Sequence, residues 1–282
     1  MATLGVLIAF AANQLLSRAA LGHLRTDPLL FTAVRLASGA GVLALLLAAR
    51  RSRPAGGSWS SALALLAYAL AFSLAYVRIG AGSGALVQFA AVQATMIGWV
   101  VLRGDRPTRL QWIGLVLAFS GVAGLTAPGA SAPDAAGAAL MVAAGVAWGI
   151  YSLRGAGGED PLTTTADNFL RCVPAMLPLL LLHGRGGLHA GAAGIWLAVA
   201  SGAVASGLGY ALWYAVVPDL GATRAAIVQL AVPVVAAVGG AGLLGERVTA
   251  RLVVSGAAIL IGVGVSVLPA ARRTARAPPR GR

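Results

Sequence analysis

The feature that most constrains this chain is a succession of ten apolar runs, at 4–21, 28–49, 59–79, 82–102, 110–127, 135–153, 161–182, 193–217, 221–243 and 250–268. Each is close to the roughly 20 residues a helix needs to cross about 30 Å of hydrocarbon. The breaks between them, such as RRSRPAGGS at 50–58 and TAPGASAPDAAG at 126–137, carry turn chemistry and leave no room for another domain. With 59% hydrophobic and 10% charged residues, the chain has too little polar surface to wet a soluble fold. Its 38 glycines show no Gly-X-Y period, which excludes collagen, and suit membrane helices that pack closely. A backbone in lipid must satisfy its own polar groups, so the prediction is an all-α, polytopic membrane protein. The first run lacks a basic leader and carries Asn13 and Gln14 at its middle, and so reads as a retained helix rather than a cleaved signal.

The ionisable inventory removes several chemistries. All 21 basic residues are arginine, so neither a Walker A lysine nor a Schiff-base lysine exists, and energy must come from a source other than that ATP-binding loop. The single Cys172 forbids an intrachain disulfide and reads as a small buried apolar residue. The three histidines, His23, His183 and His189, fall in loops on one side without metal-ligand spacing. An intramembrane enzyme, a metal site and a cofactor are therefore not expected.

Arginine placement orients the chain. With loops assigned alternately to two sides, thirteen arginines (Arg50, Arg51, Arg53, Arg103, Arg106, Arg109, Arg154, Arg224, Arg272, Arg273, Arg276, Arg280, Arg282) share one side, six (Arg18, Arg25, Arg78, Arg185, Arg247, Arg251) the other, and Arg35 and Arg171 lie within spans. The expectation is a plasma (inner) membrane protein with both termini cytoplasmic. Its +13 charge then reads as topology and contact with anionic headgroups, with no nucleic-acid partner. The tail at 270–282 is expected to be a basic, disordered, cytoplasmic segment.

The chain also repeats itself. At an offset of 141, residues 80–124 run ungapped against 221–265, pairing Gly80 with Gly221, Gln88 with Gln229, Gly104 with Gly245, Asp105 with Glu246 and Gly121 with Gly262. At an offset of 133, Asp27-Pro28 falls on Asp160-Pro161 and Arg35 on Asn168. The two halves, 1–128 and 134–269, hold five spans each. An odd number of crossings brings the second copy in from the opposite side, as in secondary transporters built from inverted repeats.

The pattern GLGYALWYAVVPDLGATRAAIVQLAVPVVAAVGGAGLLGERVTARLVVSGAAILIGV at 207–263, its weaker counterpart at 75–122 and AWGIYSL at 147–153 resemble the EamA type of the drug/metabolite transporter superfamily. The resemblance covers nearly the whole chain. It implies two five-helix repeats and a carrier that moves small metabolites, often outward, by alternating access and often against an ion gradient. One departure is that Pro233 interrupts the ninth span as that pattern expects, whereas the first copy has Val92 and Gln93 there.

Polar residues inside spans are costly in lipid and point inward. Asn13, Gln14, Gln88, Gln93 and Gln229 are candidates to line a central cavity for a small polar or zwitterionic solute; the alternative is interhelical glue. Arg35, matched by Asn168, could take a substrate carboxylate or snorkel to headgroups. Asp167 and Arg171, four apart, share a helix face and suit a structural ion pair; Asp167 is also the one acid available for proton coupling. Trp148, Tyr151, Tyr210, Trp213 and Tyr214 read either as an interfacial belt or as an aromatic wall for the solute. Pro174, Pro178 and Pro233 should bend their helices, and Pro233 frees the carbonyl of Gln229. The small-residue steps Gly202/Ser206, Ala203/Gly207 and Ser120/Gly124 read as packing faces. The other functional class left open is a structural or receptor-like membrane protein that transports nothing.

Overall fold

A computed structural model describes the backbone of residues 2–104, 107–129, 132–155, 160–183 and 188–274, and their side chains apart from 2, 100, 214, 217–228 and 267–274. Asp105, Arg106, Arg185, Arg276, Arg280 and Arg282 lie outside the described residues, as do the side chains of Tyr214, Arg224, Arg272 and Arg273. Among the described residues every regular element is helical. In order these are α1 (Ala2–Arg18) with a π-helical extension Ala19–His23, α2 (Pro28–Ala49), α3 (Trp59–Tyr76), α4 (Ala81–Leu102), α5 (Arg109–Thr126), α6 (Ala135–Gly155), α7 (Pro161–His183), α8 (Ala192–Val199) with a π-helical extension Ala200–Leu208, α9 (Gly209–Leu244) and α10 (Ala250–Thr274). Among the described residues, seven helical stretches are long and apolar enough to cross a bilayer, and Gln229–Leu244 and Ala250–Ser266 are shorter apolar ones.

The caps explain where several helices begin. Asp27 Oδ1 accepts from the amides of Leu29 and Leu30 at the start of α2, and Asp160 Oδ1 from those of Leu162 and Thr163 at the start of α7. Each Asp is followed by a proline at the first helical position, where a missing N–H costs nothing. The 133-residue offset thus superposes two equivalent caps. Thr108 opens α5 with a reciprocal capping box to Gln111, and Gly245, at φ +64°, closes α9 in the left-handed conformation that favours glycine.

The outside of the bundle is apolar, and the polar side chains within the helices are gathered inside. Leu102, Leu181, Leu182, Trp196, Leu243 and Val254 are exposed, while Asn13, Gln14, Ser73, Gln88, Asn168, Ser201 and Arg35 are buried. Lipid can solvate the former group and cannot solvate the latter, so this inversion identifies the solvent of the outer face.

Helices α5 and α10 pack backbone to backbone. A Cβ on Gly121 would fall 2.8 Å from the Ser255 carbonyl oxygen and 2.9 Å from the Ile259 nitrogen. One on Gly262 would fall 2.5 Å from the Gly114 carbonyl oxygen and 2.5 Å from the Ala118 nitrogen. The 141 offset carries each of these contacts onto the other, a reciprocity characteristic of two-fold packing. The helix pairings follow the same rule with a step of five: α1 packs on α9 as α6 packs on α4, and α2 meets the π-helical segment after α8 as α7 meets α3.

Two expectations need correction. The sequence suggests a break near Pro218, whereas the backbone is helical throughout Gly209–Leu244. At about 1.5 Å per residue a straight helix would hold Gly209 and Gly239 about 45 Å apart. Yet a Cβ on Gly209 would lie 3.2 Å from Ala9 and one on Gly239 2.5 Å from Leu15, positions only about 9 Å apart along α1. The two arms of α9 therefore double back on α1, and the change of direction lies between them, near the break that the sequence marks. The second correction is that α10 stays helical through Thr274, into the stretch expected to be unstructured, since Ala270, Ala271, Arg272 and Arg273 are good helix formers. Residues 275–282 lie outside the described residues.

Replacing Gly121 or Gly262 by Leu should cost about 1–3 kcal/mol through overpacking. Gly98→Leu, where a Cβ meets nothing within 4 Å, should change stability by less than about 0.5 kcal/mol. Melting curves of the detergent-purified variants compare the three.

Candidate functional site

The loops gather at two ends. At one, Asp27 donates its amide to the His189 carbonyl and its carboxylate meets His183, Arg78 pairs with Asp134 at 3.7 Å, and Arg251 donates to the Ala127 carbonyl. At the other, Ser58 donates its amide to Asn168 Oδ1, Gly57 its amide to Asp167, and Arg154 donates to Ser60 and Ser61. This second end holds the arginine-rich connection α2–α3 and Arg154 at the end of α6, and alternation of the helices puts the arginine-bearing connection α4–α5 on the same side.

Between the ends lies a cavity of about 370 Å³. It reaches the surface at the arginine-rich end, where Gly155 and Pro161 on its rim are exposed. Of the residues singled out from sequence, it brings together Asn13, Gln14, Gln88, Trp148, Tyr151, Asn168, Tyr210, Trp213 and Gln229. The aromatic side chains form one connected wall: Trp148 stacks on Tyr210 at 5.5 Å with planes 18° apart, Tyr68 leans on Trp148 at 4.8 Å, and Phe10 bridges Tyr210 and Trp213 at 5.9 and 5.8 Å. Faces so arranged offer an apolar or aromatic solute extensive contact area.

Other candidates lie elsewhere. Gln93 does not line the cavity. It sits about 140° around α4 from Gln88, whereas Val92 and Met96 fall within about 80° of it and do line the cavity. Asp167 and Arg171 form the expected ion pair, with Nε–Oδ1 at 3.0 Å; Asp167 also takes the Gly57 amide and Arg171 lies over the Trp59 ring at 5.6 Å. Neither lines the cavity. Pro174 and Pro178 sit within α7 and Pro233 within α9, outside the lining. Arg35 does not snorkel: it is 3% exposed, one layer behind the wall, with Nη2 3.1 Å from Tyr68 Oη and Nε 3.4 Å from Ser206 Oγ. Ser206, read from spacing as packing, therefore makes a polar contact, while Gly202 is the packing residue, pressed against the Arg35 carbonyl.

Away from the rim a polar layer closes the cavity. Gln14 Nε2 donates to Gln88 Oε1 at 3.1 Å, and the Tyr76 hydroxyl donates to Gln14 Oε1. Beyond it Arg18 Nε donates to Glu246 Oε1 at 2.9 Å and its Nη1 to the Tyr76 carbonyl at 2.8 Å, while Glu246 Oε2 takes the Ala81 amide at 2.8 Å. A second hollow of about 300 Å³, lined by Arg18, Asp134 and Glu246 among others, lies on the far side. Neither Tyr68, Tyr76 nor the Arg18–Glu246 pair was found by sequence reasoning. The one available signal was the match of Asp105 with Glu246 across the repeat.

Comparison with known proteins agrees with this geometry. A model of the EamA-like transporter family matches residues 1–127 and 135–268. Pseudomonas aeruginosa has a relative, PA1977, named as an uncharacterized protein, that is 49% identical over 276 residues, covering 97% of this chain and 96% of its own length. A protein of Archaeoglobus fulgidus named as an uncharacterized transporter is 28% identical over 207 residues, 71% of this chain and 72% of its own. One solved crystal structure of a protein superposes with a TM-score of 0.66 at 19% identity, over 96% of this chain and 99% of that one, a likeness of fold. Helices apolar on the outside, polar side chains held within and a family match on both halves lead to one conclusion: the chain is an integral, multi-pass membrane protein and belongs to the EamA-like transporter family.

Proposed function

We propose that the protein is a secondary active transporter that moves small polar or amphipathic metabolites outward by alternating access. The observation that carries this reading is a chain of hydrogen bonds between the linings of the two hollows, from Gln88 and Gln14 through Tyr76 to Arg18 and Glu246. The layer ties the two halves together, since Arg18 and Gln88 belong to the first and Glu246 to the second. A carrier needs such a barrier to break and re-form once per cycle, and a barrier made of a few hydrogen bonds and one ion pair can do so on a modest free-energy change.

The architecture proposed is ten crossings in two inverted five-helix repeats, 1–128 and 134–269. It is supported by the reciprocal α5–α10 contacts, the matching aspartate caps and the doubled-back arms of α9. By the excess of arginine, the open end of the cavity faces the cytoplasm, with both termini on that side of the inner membrane and the basic loops and tail against anionic headgroups. A cavity open to the cytoplasm loads from there, which favours export. Proton coupling through Asp167 is disfavoured in this reading, because that carboxylate is held by Arg171 and the Gly57 amide outside the cavity.

Counterflow into proteoliposomes, with a panel of amino acids, nucleosides, sugars and cationic drugs, tests the carrier reading. At least one solute should exchange, and Gln229→Ala should slow it by about tenfold, the loss of one hydrogen bond to the solute. A panel in which no solute exchanges would turn belief to a membrane protein that transports nothing. Glu246→Gln, which keeps shape but leaves Arg18 without its counter-charge, should lower stability by about 1–3 kcal/mol after allowing for the partial exposure of the pair. A melting temperature unchanged by that substitution would remove the ion pair from the seal.

A further inference from the structure

We propose that Arg35, Tyr68 and Ser206 form an anion-recognition subsite in the cavity wall, and that the transported solute carries a carboxylate docked on the two hydroxyls. The inference rests on the carrier reading of the same cavity and names one chemical feature of what it carries.

A guanidinium stays charged at any physiological pH, and burying it without a counter-charge in a membrane protein is costly. Arg35 is in that position. Each acid whose side chain is described is engaged elsewhere: Asp27 with the α2 cap and His183, Asp134 with Arg78, Asp160 with the α7 cap, Asp167 with Arg171 and Glu246 with Arg18. Arg35 instead lies over the rings of Phe72 and Tyr68, at 5.0 and 5.5 Å, and its buried Nη1 has no hydrogen-bond partner. Ring faces offset part of the charge and leave the donor unsatisfied.

The hydroxyls carry this charge to the cavity. Arg35 donates to the oxygens of both Tyr68 and Ser206, and both residues line the cavity. A hydroxyl has one proton to give, and an oxygen that accepts from a cation is polarised toward giving it. Two donors backed by one positive charge therefore meet the solute, a pattern that favours an anionic acceptor over a neutral one. The position is fixed rather than incidental. The π-helical stretch Ala200–Leu208 carries Ser206, and its Gly202 backbone is pressed so close to the Arg35 carbonyl that no side chain would fit. Tyr68 is in turn held against Trp148, so the charged end of the solute sits at the foot of the aromatic wall, with its apolar body along Trp148 and Tyr210.

The test uses matched probes that differ only in charge: benzoate with benzamide, 3-phenylpropionate with 3-phenylpropanamide, and hexanoate with hexanamide, added at millimolar concentration to the purified full-length protein. The shift in melting temperature reads binding, and proteoliposome counterflow reads transport. At least one carboxylate should bind about tenfold more tightly than its amide, since hydrogen bonds to charged groups are the stronger ones. Tyr68→Phe and Ser206→Ala, which keep Arg35 in place but each leave one more of its N–H groups unpaired and so lower the melting temperature of the free protein, should each reduce that preference to near unity. Arg35→Gln should abolish it as well. Equal binding of carboxylates and amides, binding by no carboxylate, or a preference that survives both hydroxyl variants would overturn the subsite. Amides that exchange without any carboxylate preference would leave the carrier reading intact, whereas a protein that exchanges neither these probes nor any other solute would fail as a carrier altogether.

Discussion

The ion pair between Arg18 and Glu246 is the tie on which the closed end of the bundle depends. Its two side chains are 19% exposed each, far enough from water that neither would be left there without a partner. The pair does more than neutralise itself. Arg18 also satisfies the Tyr76 carbonyl at the end of α3, and Glu246 the Ala81 amide at the start of α4, so two helix termini that would otherwise carry orphaned polar groups are joined at one point. Gly80 and Gly240 flank it because any Cβ there would run into the Glu246 carboxylate. A pair of this kind adds little net stability against an apolar alternative, while removing one partner and leaving the other charge unpaired is expensive.

One physical constraint organises the rest. In lipid, apolar side chains have no reason to prefer the interior, so close packing of small residues holds the helices together and polar groups collect inside, where they can meet. The α5–α10 contact uses Gly114, Gly121 and Gly262 for the first purpose. Asn13 with Ser201, and Gln14 with Gln88 and Tyr76, serve the second. The π-helical segment Ala200–Leu208 combines both, since its widened turns put Gly202 against α2 and aim Ser206 at Arg35 and Ser201 at Asn13.

Much of this was legible in the sequence, for local reasons. The Asp-Pro starts of α2 and α7 follow from capping chemistry, the glycines of α5 and α10 from a repeat visible at fixed offset, and the cavity amides from the cost of burying them. Nine of the eleven candidate cavity residues line the cavity, and the two that do not have physical explanations. Gln93 was chosen by depth alone, which ignores its angle around α4. Arg35 is buried rather than reaching the headgroups, and its position one layer back is set by Tyr68 and Ser206 on other helices. What stayed hidden was non-local. Arg18 and Glu246 are 228 positions apart, and a tyrosine in an apolar helix looks the same whether its hydroxyl faces a cavity or a neighbour. The reversal within α9, by contrast, falls near the break between the runs 193–217 and 221–243, which the sequence does mark.

The most direct test of a single barrier on a two-sided path is the accessibility of a cysteine at Val92, which lines the cavity. Cys172, the one native cysteine, is buried and gives a low background. A membrane-impermeant maleimide, applied separately to the two faces of oriented vesicles, should label Val92→Cys from the cytoplasmic side. Added Glu246→Gln should open a second route and raise labelling from the opposite side. Labelling of the parent variant equally from both faces, or from the outer face alone, would contradict the account.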